Sequence, residues 1–363
     1  MTKHRLPEKP FMDDLIQLVG RWDFELLSEK SSSKSGNVPI GGHFREQLDF
    51  IETLARFKYV PYLNDELQDF PAKLWSWLEQ FETGEEKKLA IRVASSITAF
   101  TEEQIRYLQE VCYKEKLVYR LLERIIARQK LPPYSYDRAL GGFDEELQRC
   151  LVVPLTDSAR YNQFVHVNDL ENHSKLGLGT LDVFVHPDIR NTPQAVEKLR
   201  DRYKDKEVLV VIEDFCGSGR TFTSDLARLA ELYDFETVYF CPYIITQRAE
   251  SAIYRFARRY ASRVSVEILF GLKLSERMRV FSPVSSLFSY EEKKALMTLC
   301  IKYHQQYFRS NRFIGTPRSY PFGYRDGQLL VVFQSNCPNH TLPIVWAHDN
   351  GWEPLFRRVQ RYA

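Results

Sequence analysis

This chain contains no apolar run long enough to cross a membrane, and its first ten residues are polar and charged rather than built like a signal peptide. The expectation is a soluble, cytoplasmic protein with no membrane partner. It has little net charge of either sign: 50 Lys and Arg side chains against 48 Asp and Glu leave +2, so no global field draws it to nucleic acid or an acidic surface. Its six cysteines, at positions 112, 150, 216, 241, 300 and 337, include no C-x-x-C pair. That argues against a structural zinc and against a disulfide framework. No internal repeat is visible. At 363 residues, 44% of them hydrophobic, two packed domains are the natural prior.

What is present is concentrated in residues 208–221. Five apolar residues, Val208, Leu209, Val210, Val211 and Ile212, are followed by Glu213 and Asp214 and then by Phe215, Cys216, Gly217, Ser218, Gly219, Arg220 and Thr221. The run fits a strand buried on both faces, and Leu226, Leu229, Ala230 and Tyr233 fit an amphipathic helix after the turn. The turn therefore lies at a strand's carboxyl end and a helix's N-terminus, where open α/β sheets gather ligands. Glycines let backbone N–H groups approach an anion, Ser218 and Thr221 add hydroxyl donors, and the helix end is positive. An acid pair beside such a loop suits vicinal ribose hydroxyls or a magnesium ion. A Walker loop is excluded by spacing and by the lack of its Lys, and a dinucleotide fingerprint by Phe222 where a third glycine belongs. The plainer alternative is an ordinary strand–turn–helix corner whose acids only cap or solvate it.

At these residues the chain resembles the phosphoribosyltransferase family, whose signature is four apolar residues, two acids, a short variable stretch and Thr/Ser-Gly-x-Thr. The resemblance implies an α/β fold with a Rossmann-type, mostly parallel sheet. It implies that Glu213 and Asp214 hold the ribose hydroxyls of phosphoribosyl diphosphate (PRPP) or a nucleotide and take part in catalysis and in binding Mg2+. It further implies that Phe215 to Thr221 form the ligand loop, with Gly217, Ser218, Gly219, Arg220 and Thr221 around the 5-phosphate. Purine-salvage members carry an acid at the position of Gly217. Its absence here weakens purine-base transfer but leaves the sugar-phosphate site intact. The family fold also calls for an earlier strand at the diphosphate, for which residues 151–155 leading into Asp157 and Ser158 are the candidate; Asp157 could equally be a helix N-cap. Residues 336–346, Asn-Cys-Pro-Asn-His-Thr-Leu-Pro-Ile-Val-Trp, resemble the tail of phosphoribosyltransferase-like domains of bacterial conflict and antiphage systems. With these segments the resemblance runs over about 140–352.

The pattern before position 140 differs from the pattern after it. Residues 44–59, 71–81, 87–99 and 102–129 read as helices after a short opening helix at 11–27 and a loop at 28–42, with Thr101 and Gln104 as a capping-box signal and Pro132-Pro133 as a stop. Beyond 140, strands at 151–155, 181–185, 208–212, 237–245, 264–269, 329–333 and 342–346 alternate with helices near 193–202, 222–233, 249–262 and 290–308. The division expected is a helical domain over 1–139 and a phosphoribosyltransferase-like domain over 140–363 ending in a lid or hood. Trp75, Trp77, Phe81 and Phe100 read as core or as a docking face for a partner protein or defence complex. Arg255, Arg258, Arg259 and Arg263 read first as a solvated face and second as a nucleic-acid contact. Two functions stay open: an enzyme acting at the anomeric carbon of a ribose 5-phosphate compound, as an antiphage effector, or a nucleotide-sensing module without catalysis that holds a partner.

Overall fold

A computed structural model describes residues 41–54, 70–156, 159–170, 177–178, 193–232, 235–308, 320–334 and 336–358. The expected helix at 11–27, residues 28–40 of the expected loop 28–42 and the strand at 181–185 lie outside the described residues; Gly41 and Gly42, expected in that loop, instead open the helix Gly41–Leu54. Eight strands are described: β1 (Thr98–Phe100), β2 (Cys150–Pro154), β3 (Gly177–Leu178), β4 (Val208–Cys216), β5 (Thr237–Thr246), β6 (Ser265–Ile268), β7 (Leu272–Leu274) and β8 (Val331–Phe333). Two compact units emerge, one within Met1–Thr101 and Arg279–Ala363, the other Glu102–Met278. Position 140 lies inside the second.

That second unit is the α/β layer structure. Its sheet runs β3-β2-β4-β5-β6, with β7 also on β5, and every pairing is parallel. Residues 208–212 of β4 are fully buried, and β4 lies between β2 and β5. Alternation explains why the run is apolar throughout. Leu209 and Val211 join a cluster with Phe222, Leu226, Ala249 and Ile253 from the helices Arg220–Leu232 and Gln247–Ala257. The other face meets the long helical segment 102–128, where the Cys112 thiol sits 3.6 Å from the Pro242 carbonyl oxygen, and the helix Tyr161–Val167, whose Phe164 stacks on Tyr243. Pro242, which has no N–H to give a ladder, falls where β5 changes partner from β6 to β7.

At the amino edge of the sheet a charged clamp replaces the apolar core. Arg124 donates to Glu146 at 2.7 Å, to the Thr237 hydroxyl at 2.9 Å and to Glu236 at 3.1 Å; Arg128 and Arg149 converge on Glu207. The starts of β2, β4 and β5 are thereby tied to the helices before them.

In the other unit the helices Gly41–Leu54, Phe70–Glu79, Gly84–Ser95 and Tyr290–Tyr303 share one core with the short parallel pair β1–β8. Trp77, Phe81, Tyr303 and Trp352 are buried in it, and the Trp77 indole donates to the Ile344 carbonyl at 2.9 Å. Two expectations need correction. The helix expected to run to residue 99 stops at Ser95, where the Ser95 and Ser96 hydroxyls take the Arg92 carbonyl and compete with the helical bond. The strand expected at 342–346 is instead the single turn Pro343–Trp346. Pro343 fixes a helical φ at its first position, and the Trp346 indole bonds back to the Thr341 carbonyl at 2.8 Å.

Candidate functional site

The site is built where the chain reverses direction across the sheet. From β2 it moves outward to β3, then crosses back to β4 and continues to β5 on the other side. The loops leaving β2 and β4 therefore part from each other, and the crevice between two such strand ends is where open α/β sheets bind ligands. Glu213 and Asp214 occupy the carboxyl end of β4, and Thr156 follows the end of β2.

The two loops are joined through Glu213. The Thr156 hydroxyl donates to Glu213 Oε1 at 2.9 Å, and the Asp214 amide donates to the same oxygen at 3.1 Å. Both acids are buried, Glu213 to 3% exposure and Asp214 to 8%. Burial, then the charge of Asp214 and a hydrogen bond with its side chain, push the Glu213 carboxyl well above the usual carboxylate range. The Thr156 hydroxyl and the Asp214 amide oppose this only in part.

The loop after β4 takes its shape from Gly219. Its φ of +71° is left-handed, and a Cβ there would lie 2.8 Å from Ile253 Cγ1 and 3.2 Å from the Ala249 carbonyl oxygen. Only glycine satisfies both the dihedral and the close approach of the helix Gln247–Ala257. Thr246 holds that approach from the other side: its hydroxyl donates to the Gly217 carbonyl at 2.8 Å and accepts the Ala249 amide at 3.0 Å. The Gly219 carbonyl then accepts the Thr223 amide at 3.0 Å, opening the helix Arg220–Leu232. Arg220 and Thr221 are exposed in its first turn, while Gly217, Ser218 and Phe215 are half-buried. Cys216 is buried, and burial together with the Glu213 charge raises its thiol far out of the nucleophilic range. It packs the turn.

Asp157 and Ser158 lie outside the described residues. Their neighbours are anchored: the Tyr243 hydroxyl donates to the Ala159 carbonyl at 2.7 Å, and Arg160, in a left-handed conformation, pairs with Glu102. Sequence reasoning missed Thr156, Tyr243 and Thr246 as parts of the site's frame. Thr246 was the most visible of the three, as a hydroxyl N-cap directly before an amphipathic helix. His340 belongs to the other unit, where it packs edge-on to Tyr324 and its carbonyl accepts the Leu329 amide. Thr341 beside it is fully buried, and its hydroxyl donates to the Val331 carbonyl at 2.6 Å.

Among the described residues no three His, Cys, Asp or Glu side chains converge to hold a metal ion. Glu213 and Asp214 offer two carboxylates. That matches magnesium bound by one or two acids with a ligand's phosphate oxygens completing its shell, rather than an all-protein cage.

The PRTase-CE family model matches residues 74–358, most of the chain and parts of both units. No curated protein and no solved structure matches it. The chain belongs to this phosphoribosyltransferase-like family, and its parallel sheet with flanking helices is that fold.

Proposed function

We propose that residues 213–221 bind a ribose 5-phosphate compound, either phosphoribosyl diphosphate or a nucleotide. The observation that carries the proposal is the loop 217–219 at the switch point. Gly219 turns the chain so that the backbone of the helix Arg220–Leu232 begins beside two carboxylates. On this reading the amides and hydroxyls of 217–221 receive the phosphate, and Asp214 and Glu213 face the ribose. Mg2+ would be held by the two acids together with the ligand's diphosphate, and supplies charge neutralisation of a leaving group when bound. The chain's own part is to position the sugar, keep water from the buried acids and support positive charge at the anomeric carbon. Service as an antiphage effector rests on the likeness of residues 336–346 to conflict-system domains. The genes beside this one test that role.

The reading without catalysis draws on a specific observation. Glu213 is buried and favours its neutral form, and Gly217 stands where purine-salvage members carry an acid, so binding without turnover is the second candidate. Calorimetry with phosphoribosyl diphosphate and Mg2+, followed by mass spectrometry of the same mixture with cell metabolites, separates the two. Consumption identifies an enzyme, and saturable binding alone a sensor. Thr221→Ala should weaken binding by about 1.5–3 kcal/mol, the range of a charge-assisted bond, without change in stability because the residue is exposed. Unchanged affinity in this variant would move the ligand elsewhere.

A further inference from the structure

The second unit contains two groups of arginines in opposite electrostatic states. Arg120, Arg124, Arg128 and Arg149 each pair with at least one glutamate. Arg255, Arg258, Arg259 and Arg263 form no ion pair among the described residues, and all four are exposed. Glu250 and Glu267, the acids nearest in sequence, are engaged by Lys273 and Arg120. A favourable interaction with the C-terminus of the helix Gln247–Ala257 accounts for Arg255 and Arg258, but not for Arg263 beyond it.

One of these unneutralised cations, Arg258, lines a cleft of ≈ 390 Å³ together with Tyr254, Ala257, Ala261, Val264, Ser265 and Val266, and Arg255 and Arg263 adjoin the lining residues Tyr254 and Val264 in the chain. Its floor is small and apolar, Tyr254 is 39% exposed at its wall, and Arg258 and Ser265 supply polar groups. It lies at the start of β6, the sheet edge opposite residues 213–221. An apolar floor, a part-exposed aromatic ring, Arg258 in the lining and three more exposed guanidinium groups close by in the chain match a base and a run of phosphates. The interior of a duplex fits poorly, because a base stacked on both sides has no free face for Tyr254. Exposed guanidinium groups spread from Arg255 to Arg263 also suit a run of phosphates better than a single one.

We propose that this cleft binds single-stranded nucleic acid, with a base against Tyr254 and successive phosphates along Arg258, Arg255 and Arg263. The proposal is independent of the ribose-phosphate reading.

Fluorescence anisotropy of a short labelled oligothymidylate with the full chain tests it. Binding should fall with salt at a log–log slope of about −2 to −3, as three to four phosphate contacts on a single strand give. Arg258→Gln with Arg263→Gln should flatten that slope by about 1.4, and Tyr254→Ala should lower affinity about tenfold with the slope kept. All three residues are exposed, so the variants fold, and thermal unfolding checks this. Three results overturn the proposal: no binding at low salt, equal binding of heparin or duplex, or affinity that none of the substitutions moves. Displacement of the strand by AMP at lower concentration than by unlabelled strand also overturns it, and would make the cleft a free-nucleotide site.

Discussion

Two buried glutamates at opposite edges of one sheet show how this fold treats charge. Glu146, at the amino edge, is 2% exposed and faces Arg124 at 2.7 Å and Arg128 at 3.7 Å. Glu213, at the carboxyl edge, is 3% exposed and has a hydroxyl, an amide and a second carboxyl as neighbours. The first is neutralised by the fold. The second is held by a hydroxyl and an amide beside another carboxyl, and burial pushes it toward its neutral form. At the amino edge burial is answered with guanidinium groups, and at the carboxyl edge with a raised carboxyl affinity for its proton.

The sharpest way to break this comparison is at the compensated end. Arg124→Met removes the cation that ties Glu146 to Thr237 and Glu236 and leaves a buried carboxylate with only the longer contact to Arg128. Loss of one partner of a buried pair costs about 3–5 kcal/mol, so urea unfolding should show a fall of that size. A loss below about 1 kcal/mol, the level of a surface pair, would mean that the clamp is solvated and the contrast with Glu213 unfounded.

Much of the carboxyl edge was legible in the chain, and the reason is periodicity. An unbroken apolar run such as 208–212 has few homes other than a strand covered on both faces, and Gly219 beside two acids has few reasons to exist except a tight turn there. Strands β2 and β5 could be read on the same grounds, and β6, Ser-Val-Glu-Ile, by its alternation. The amino-edge clamp was not legible, because Arg124 and Glu146 meet only after the helices fold back on the sheet. Pairing of β1 with β8 was hidden for the same reason: residues 98–100 and 331–333 are brought together by tertiary packing, and three residues carry no period. The turn at 343–346 was misread because its apolar residues suit a buried strand or a buried turn alike. Pro343 and the Trp346 indole decide between them.

A second, smaller effect probes the loop itself. Gly219→Ala places a Cβ against Ile253 and the Ala249 carbonyl at a left-handed φ, whereas Gly141 has nothing within 4 Å of its hypothetical Cβ. The first substitution should cost about 1–3 kcal/mol in thermal or chemical unfolding. Gly141→Ala should be close to neutral and serves as the control. Equal stabilities would show that the loop relaxes freely, and a freely relaxing loop is a poor preformed phosphate cradle.

The smallest expected change in stability is the most telling one. Glu213→Gln keeps the size of the side chain, still accepts from the Thr156 hydroxyl and the Asp214 amide through Oε1, and replaces the other carboxyl oxygen by an uncharged NH2 donor. The carboxyl of Glu213 is held above its ordinary value of 4.5, so the folded protein binds the proton more tightly than the unfolded chain. Stability from that bound proton is full below the ordinary carboxyl range and is lost as pH rises through the raised folded value. The glutamine carries no such loss. The variant should therefore match the wild type in acid and draw level or ahead toward neutral pH, with the gap widening upward, while any ribose-phosphate binding or turnover declines. Denaturation at a series of pH values, read beside ligand binding on the same samples, measures both. A variant less stable than wild type at neutral pH would mean that the Glu213 charge is compensated as Glu146's is, and the acid pair would then belong to the scaffold rather than to a site.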